Sequence, residues 1–193
     1  MFLLPKDSLK IKRTKNKGYG VFARKNITAG TVISDYLGKI VSNADYDLSN
    51  DKQGLYLMYL SDYASIYPDL SKPGPHLVNH SCKPNCWIYV YESHTLFYAI
   101  EDITMGDELT ISYLLSPDNG TCIACTHSCK CESINCTRTM HLTNEKYKMW
   151  QNYLNKKRKK IKKVKELYDS ILPPLQLYPI TLPIDPIYKK IYS

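Results

Sequence analysis

Cysteine is the residue type whose clustering points most directly to chemistry in this sequence. The chain has seven cysteines, and five of them lie between Cys122 and Cys136. The first residues are too short for an export signal, so we expect an intracellular protein whose thiols stay reduced or bind metal. Residues 120–137 show little apolar periodicity, which favours a small metal-stapled lobe over a hydrophobic core.

Four short motifs rich in glycine, tyrosine and polar residues precede this cluster. In chain order they are KGYGVFA from Lys17, YLG from Tyr36, NHSCKPNC from Asn79 and GDELTISY from Gly106. Each motif alone is compatible with an ordinary turn or strand. Together and in this order they resemble the SET-domain family of protein lysine methyltransferases, over about residues 9–137.

The resemblance implies a mainly β fold of small sheets, in which the NHSC segment and residues 106–113 cross in a threaded, knot-like arrangement. Such threading is rare among proteins. We expect a SET domain over residues 7–115 and a cysteine-rich post-SET lobe over residues 120–138. A basic amphipathic helix over residues 143–171 and a proline-rich tail over residues 172–193 would follow.

The resemblance also implies methyl transfer from S-adenosylmethionine to the ε-amine of a lysine in a histone or another basic protein. Gly18 and Gly20 would let the main chain approach the methionine part of this cofactor. Asn79 would anchor its amino-acid end, and the backbone of His80 would bind the adenine edge. The full set of expected cofactor-binding residues is Gly18, Tyr19, Gly20, Tyr56, Asn79 and His80.

Two tyrosines take the catalytic positions of the family. Tyr113 ends the GDELTISY motif, and Tyr36 begins YLG and forms the second aromatic wall. A phenol oxygen can hold the methyl group by weak C–H···O contacts, and aromatic walls align the lysine stem. The substrate lysine, with a pKa of about 10.4, must first lose a proton, which desolvation assists without a dedicated base. Ile111, where a tyrosine or phenylalanine is common, predicts di- or trimethyl products.

The cysteine spacing Cys129-x-Cys131-x4-Cys136 matches the post-SET pattern, in which three thiolates join the NHSC cysteine, here Cys82, around zinc. These four would complete a tetrahedral site. Cys86 lies outside that pattern, as do the residues of a second group, Cys122, Cys125 and His127. A second zinc, for which no fourth ligand is evident, a redox pair and a swapped ligand set are all open for this second group.

The chain departs from the family pattern at three places near the motifs. Lys39 follows YLG where an acid is usual, and Ser112 precedes Tyr113 where aspartate is common. His76 and Leu77 stand where arginine and phenylalanine are common. These changes predict different cofactor packing and rebuilt hydrogen bonds, without loss of the two tyrosines.

Short strands and one long helix are the elements that would position these residues. Strand signals occur at residues 9–12, 31–41 and 55–60, and residues 87–91 and 95–100 flank a hairpin turn. From Thr143 to Ile171, apolar residues recur at helical spacing until two prolines end the pattern. Packing of this helix on its own chain is favoured over a coiled-coil dimer, and five prolines favour an extended tail over a packed one.

The net charge of +8 is concentrated in one basic block near the end of the predicted helix. Its members are Lys156, Lys157, Arg158, Lys159, Lys160, Lys162, Lys163 and Lys165. The block is either a solvated helix face or a surface for nucleic acid or an acidic protein, through residues 156–165. No apolar run is long enough to span a membrane, so we expect a soluble protein, nuclear or chromatin-associated in a eukaryote and cytoplasmic in a bacterium.

Two other functions compete with the enzyme. A non-catalytic SET-like module could bind a basic tail or nucleic acid, but the presence of Tyr36, Asn79 and Tyr113 argues against it. A zinc-containing DNA-binding protein would account for the cysteines and the lysines but leaves the first 113 residues unexplained.

Overall fold

The computed structural model describes residues 1–44, 55–120, 122, 125, 127–157 and 164–192. Within these residues the chain is mainly β, as predicted, and its strands form three small sheets. The strands are β1 (Leu9–Arg13), β2 (Tyr19–Ala23), β3 (Val32–Asp35), β4 (Lys39–Ser42), β5 (Met58–Tyr59), β6 (Ala64–Tyr67), β7 (Asn79–His80), β8 (Cys86–Tyr91), β9 (His94–Ala99) and β10 (Glu108–Ile111). Helix α1 (Asn144–Lys157) and helix α2 (Ile187–Tyr192) follow, and 3-10 turns occupy Pro75–Leu77 and Val164–Leu167.

The first sheet, in the order β1-β2-β10-β7, brings three of the four motifs together. Strands β1 and β2 are antiparallel, and Thr14 N donates to Gly18 O at 2.7 Å in the loop between them. Gly18 has a φ of 74°, a left-handed conformation that glycine adopts without a Cβ penalty. Strand β10 is antiparallel to β2 and parallel to β7, so Thr110 lies opposite Asn79.

Residues 79–85 lie beside strand β10 and contact its backbone repeatedly. Ser81 N donates to Ile111 O at 2.9 Å. The Asn85 side chain acts like a strand partner, because its Nδ2 donates to Glu108 O at 2.9 Å and its Oδ1 accepts from Thr110 N at 2.8 Å. These contacts hold the two segments side by side, and their threaded crossing stays a prediction.

The second sheet, in the order β3-β9-β8, contains the predicted hairpin. Tyr91 pairs with His94, so the loop between β8 and β9 consists of Glu92 and Ser93 alone. Their φ values of 47° and 70° are those of a two-residue turn whose twist matches the flanking strands. The third sheet, in the order β4-β6-β5, includes the predicted strand near residues 55–60.

The two larger clusters of buried apolar side chains stabilise this arrangement. One joins the first and second sheets through residues such as Val21, Phe97 and Leu109. The other packs helix α1 against the second sheet, and in it the rings of Trp87 and Trp150 meet edge to face with centroids 5.6 Å apart. The apolar face of α1 is therefore buried on its own chain.

The predicted helix from Thr143 to Ile171 is wrong over its last part. Helix α1 spans Asn144–Lys157, Arg158 to Lys163 lie outside the described residues, and Val164–Leu167 form a 3-10 turn. Beyond that turn the chain pairs with β4: Asp169 N donates to Ile40 O, and Ile40 N donates to Ser170 O, both at 2.9 Å. The unpaired edge of β4 thus takes up backbone groups that a continuing helix would have used internally.

The prediction of an extended, unpacked tail over residues 172–193 is also wrong. Val32 N donates to Ile180 O at 2.9 Å, and Leu182 N donates to Gly30 O at 2.8 Å, so the tail follows β3. Leu182 and Ile191, the latter within α2, are buried in the second apolar cluster. Burial of these side chains outweighs the local preference of a proline-rich segment for an extended, solvated state. None of the helices in the described part of the chain combines the length and apolar character that crossing a bilayer needs.

Candidate active site and metal centre

Tyr36 and Tyr113, the predicted catalytic pair, line the same cavity of about 510 Å³. Tyr36 follows β3, and Tyr113 lies two residues beyond the end of β10. Apolar side chains, among them Val78, Phe97 and Ile111, line the cavity beside them. Polar side chains, among them Asp62 and His76, line other parts of the cavity, so an amine meets aromatic and aliphatic walls only beside the tyrosines.

The hydroxyl groups of both tyrosines are held by backbone carbonyls. Tyr36 Oη donates to Tyr56 O at 2.6 Å, and Tyr113 Oη donates to Val78 O at 3.4 Å. Burial, with a smaller contribution from Tyr113, raises the pKa of Tyr36 well above its ordinary value. Burial, together with Tyr56, likewise raises the pKa of Tyr113. Both phenols are therefore neutral, with oxygen lone pairs free for further weak contacts and no capacity to act as phenolates.

His80 fixes the position of Tyr113. The Tyr113 backbone N–H donates to His80 Nδ1 at 3.2 Å, and the two rings meet edge to face with centroids 5.4 Å apart. Burial, reinforced by the nearby Lys17, lowers the pKa of His80 to about 4, so the imidazole is neutral. Because Nδ1 accepts, the proton resides on Nε2, which faces Cys82 Sγ at 3.6 Å. The side chain of His80 thus connects the cysteine cluster to the predicted catalytic tyrosine.

A partly buried polar network lies beside Gly18 and Gly20. Asn79 Nδ2 donates to Tyr19 O at 2.9 Å and to Glu108 Oε1 at 2.8 Å. Lys17 also belongs to the network, because its Nζ forms an ion pair with Glu108 Oε2 at 2.6 Å. A Cβ atom on Gly20 would lie 2.6 Å from Glu108 Oε1 and 2.9 Å from Asn79 Nδ2, so the network itself requires glycine there.

Lys17 and Glu108 are site residues that the sequence analysis missed. Both lie inside the quoted motifs, at the start of KGYGVFA and within GDELTISY, and their opposite charges were the available signal. Asn79 uses both amide hydrogens within the protein, which leaves Oδ1 to accept a hydrogen bond from a ligand ammonium. Tyr19, the first residue of β2, is 52% exposed.

Tyr56 contacts two of the residues that line the first cavity. Its carbonyl accepts the Tyr36 hydroxyl, and its ring meets His76 edge to face with centroids 5.8 Å apart. Burial lowers the pKa of His76, which lines the cavity at the position where the family commonly has arginine. The role of the Tyr56 side chain in binding cofactor stays a prediction.

A second cavity, of about 710 Å³, lies between the NHSC segment and the cysteine-rich lobe. His80, Cys82 and Ser112 line it from one side, and Thr137 of the lobe and Thr139 just after the lobe line it from the other. Ser112 lines the first cavity as well. The two cavities therefore have one lining residue in common, Ser112, immediately before Tyr113.

Two of the departures from the family pattern have local partners. Lys39 forms an ion pair with Asp169, at 2.6 Å between Nζ and Oδ1, so its charge is used by the segment that pairs with β4. Ser112 Oγ accepts from Leu114 N at 3.2 Å, which supports the left-handed conformation of Leu114 after Tyr113. The predicted rebuilding of hydrogen bonds is thus local.

The four predicted metal ligands converge on one point. The Sγ atoms of Cys82, Cys129, Cys131 and Cys136 all lie within 4.8 Å of one another. Cys82 Sγ is 3.6 Å from Cys129 Sγ and 4.0 Å from Cys136 Sγ, too far for disulfides. Tetrahedral Zn–S bonds of about 2.3 Å place sulfur atoms about 3.8 Å apart, so the cluster can hold zinc.

Comparison with known proteins finds similarity in the region that contains the four motifs. The SET-domain family profile matches residues 18–114. The "Variant-silencing SET domain-containing protein" of Plasmodium falciparum is 30% identical over 66% of this chain. "Histone-lysine N-methyltransferase mes-4" of Caenorhabditis elegans is 29% identical over 69% of it. "Histone-lysine N-methyltransferase, H3 lysine-9 specific" of Schizosaccharomyces pombe is 33% identical over 66% of it.

The matched segments are small parts of those relatives. They cover 5% of the Plasmodium protein, 17% of the Caenorhabditis protein and 32% of the Schizosaccharomyces protein. The similarity therefore concerns the SET region and not the architecture of the whole relatives. On the family match and the shared motifs, this chain belongs to the SET-domain family.

Proposed function

We propose that this chain transfers a methyl group from S-adenosylmethionine to the ε-amine of a protein lysine. The observation that carries the proposal is that Ser112 lines two cavities, one lined also by Tyr36 and Tyr113 and the other by His80 and Cys82. Such an arrangement suits two reactants that enter from different sides and meet beside Ser112, next to Tyr113. The relatives named as histone-lysine methyltransferases support a lysine acceptor.

Of the six expected cofactor-binding residues, His80 lines the second cavity, and Asn79 precedes it in β7. S-adenosylmethionine supplies a methyl group on a positively charged sulfur, which leaves when a nucleophile attacks in line. A cavity of about 710 Å³ is within the usual size range of cofactor sites. Asn79 Oδ1 would accept from the amino-acid ammonium, and the backbone of Gly18, Tyr19 and Gly20 would bind the same end. The backbone of His80 would bind the adenine edge.

The first cavity, called the tyrosine cavity because Tyr36 and Tyr113 line it, would bind the substrate lysine and favour loss of its proton. The apolar side chains beside the two tyrosines, including Val78 and Ile111, would disfavour the ammonium form and lower the pKa of the substrate amine there, so water can remove the proton. Tyr36 and Tyr113 would align the lysine stem with their rings. Because the Tyr113 hydroxyl donates to Val78 O, its lone pairs can hold the transferring methyl by C–H···O contacts.

The lobe would complete the site through a zinc ion on Cys82, Cys129, Cys131 and Cys136. Four protein thiolates leave no open coordination position, so this ion would be structural. It would attach the lobe to the NHSC segment beside the second cavity. The alternative of a non-catalytic module is disfavoured because the paired tyrosines and the Asn79 network are both intact.

A transfer assay with isotope-labelled cofactor tests the proposal. Zinc-replete protein would be incubated with histones, ribosomal proteins and a whole lysate, and labelled bands would be digested to locate the modified residue. A histone tail with its lysines replaced by arginine is the matched acceptor control and should receive no label. Cofactor binding without transfer to any lysine would overturn the enzyme assignment and favour the binding module.

A further inference from the structure

A second set of ligating side chains lies outside the cysteine cluster already described. Cys122, Cys125, His127 and His141 each direct one ligating atom to a common point, and these atoms lie within 4.8 Å of one another. The first three form the group that the sequence left without a fourth ligand. His141 supplies it from beyond the cysteine-rich segment.

The spacing of these atoms is that of a tetrahedral metal site. His127 Nδ1 lies 3.4 Å from Cys122 Sγ, 3.5 Å from Cys125 Sγ and 3.1 Å from His141 Nε2. Cys125 Sγ lies 3.4 Å from His141 Nε2. Zinc bonds of about 2.0 Å to nitrogen and about 2.3 Å to sulfur place neighbouring ligand atoms about 3.3 to 3.8 Å apart.

Hydrogen bonding alone does not account for this convergence. One imidazole nitrogen carries at most one proton, yet His127 Nδ1 has three potential partners at nearly equal distances. A central cation satisfies all four atoms at once, since thiolates and neutral imidazoles each offer it a lone pair. The combination of two sulfurs and two nitrogens is a common zinc ligand set.

The ring of His141 is already oriented for ligation. Its Nδ1 lies 2.6 Å from Ser116 O, and a carbonyl can only accept, so Nδ1 carries the proton. The lone pair of Nε2 is then available to the cluster. Metal-binding histidines characteristically donate their other ring N–H to a carbonyl or carboxylate in this way.

Backbone pairing brings the four residues together across the lobe. Ser128 pairs with Thr139, and Met140 N donates to His127 O at 2.8 Å, which places His127 beside His141. His141 also pairs with Leu115, which lies just beyond residues 18–114, the part of the chain that matches the family profile and is here called the SET segment. A metal at this point would join the SET segment to the lobe.

We propose that Cys122, Cys125, His127 and His141 bind a second zinc ion, which holds the lobe against the end of the SET segment. All four positions are filled by protein, so the ion is structural and not catalytic. His141 lines the 710 Å³ cavity, as does Cys82 of the first cluster. Two ions, on adjacent stretches of chain, would therefore fix the side of that cavity formed by the lobe.

Metal content and coordination of the purified full chain, expressed with zinc, test this proposal without reference to activity. Two equivalents of zinc are expected, and X-ray absorption should give an average of three sulfur and one nitrogen ligands per zinc. One equivalent with four sulfur ligands and no nitrogen would overturn the proposal, as would two equivalents with sulfur ligands alone.

Variants assign the nitrogen ligands to residues. Cys125→Ser and His141→Gln should each reduce the content from two equivalents to one and raise the sulfur average to four. Cys86→Ala, at the one cysteine outside both clusters, is the matched control and should keep two. Retention of two equivalents and of the nitrogen signal in His141→Gln would contradict the assignment, and the wild-type absorption result stands even if a variant fails to fold.

Discussion

At the scale of single residues, the proposed mechanism depends most directly on the hydroxyl group of Tyr113. Replacing Tyr113 by phenylalanine removes the oxygen that would hold the methyl group but preserves the ring beside His80. We expect kcat to fall by about 100-fold, as is typical when reacting groups lose their alignment, with cofactor affinity nearly unchanged. Steady-state kinetics and calorimetric titration with cofactor measure the two quantities.

The control for that variant is Tyr63→Phe. Tyr63 has a 66% exposed side chain and lies outside the tyrosine cavity. Its substitution should leave kcat and cofactor affinity as in the wild type. Equal turnover in Tyr113→Phe and Tyr63→Phe would remove Tyr113 from the mechanism.

The pH dependence of the reaction separates the substrate amine from the tyrosines. The pKa values of Tyr36 and Tyr113 are raised by burial, so both phenols stay protonated up to and beyond pH 9. The substrate amine must be deprotonated, so the rate should rise from pH 7 toward pH 9. A rate that falls between pH 7 and pH 9 would indicate that ionisation of a protein group controls the reaction. That result would contradict the argument that both tyrosine phenols stay neutral.

Ile111 bears on how many methyl groups the lysine receives. The side chain is buried and lines the cavity with Tyr36 and Tyr113, and it brings no hydroxyl that could hold a water against the amine. We expect di- or trimethyl-lysine as the final product under excess cofactor, detected by mass spectrometry at long incubation. Ile111→Tyr should shift the product toward monomethyl-lysine, with Ile111→Val as the control, whereas an exclusively monomethyl product from the wild type would refute the argument.

At the scale of elements, the cysteine-rich lobe depends on metal more than on apolar burial. Cys136→Ser removes one of four sulfur ligands, so we expect loss of the zinc bound with Cys82 and loss of most transfer activity. The loss should appear in elemental analysis and in faster proteolysis within residues 120–138. Cys86→Ala is again the matched control, and full activity in zinc-depleted Cys136→Ser would contradict a role for the lobe in the site.

Elements were predictable from sequence where local signals decide them. The β8–β9 hairpin follows from two strand patterns around a two-residue turn, and the start of helix α1 follows from apolar periodicity. The path after Lys157 was not predictable, because it depends on the free edge of β4 and on burial of Leu182 and Ile191. His141 was missed for the same reason, since the bridge between Ser128 and Thr139 brings it beside His127.

At the scale of the whole molecule, the positive charge is distributed unevenly. The net charge is +8, and the basic block from Lys156 to Lys165 contains eight lysines and arginines, as many positive charges as the net excess. Trp150 and Leu154 of helix α1 are buried on the chain itself, and Lys156 is exposed at the end of the same helix. The helix is thus anchored by its apolar face, and its charged end is available to a partner.

This charge leads to a prediction about an acidic partner. A basic substrate tail gains nothing from lysines near its entry, because like charges repel, whereas DNA, RNA or an acidic protein surface that accompanies the tail would be attracted. Binding of nucleic acid should show little sequence preference and should weaken steeply with salt, since each neutralised phosphate releases counterions. The logarithm of the binding constant falls linearly with the logarithm of the salt concentration. When the removal of one lysine leaves one phosphate unneutralised, the size of this slope should decrease by about 0.9.

The test replaces five charges of the block by glutamine: Lys156, Lys157, Arg158, Lys159 and Lys160. The control replaces five exposed lysines elsewhere: Lys6, Lys10, Lys15, Lys83 and Lys148. The block variant should lose more activity on an intact nucleic acid–protein complex than on a free peptide, and its salt slope should flatten, whereas the control variant should lose little of either. Equal loss on both substrates would point to packing of the helix, and no loss on either would identify the block as a solvated face, so either result would exclude recruitment through it.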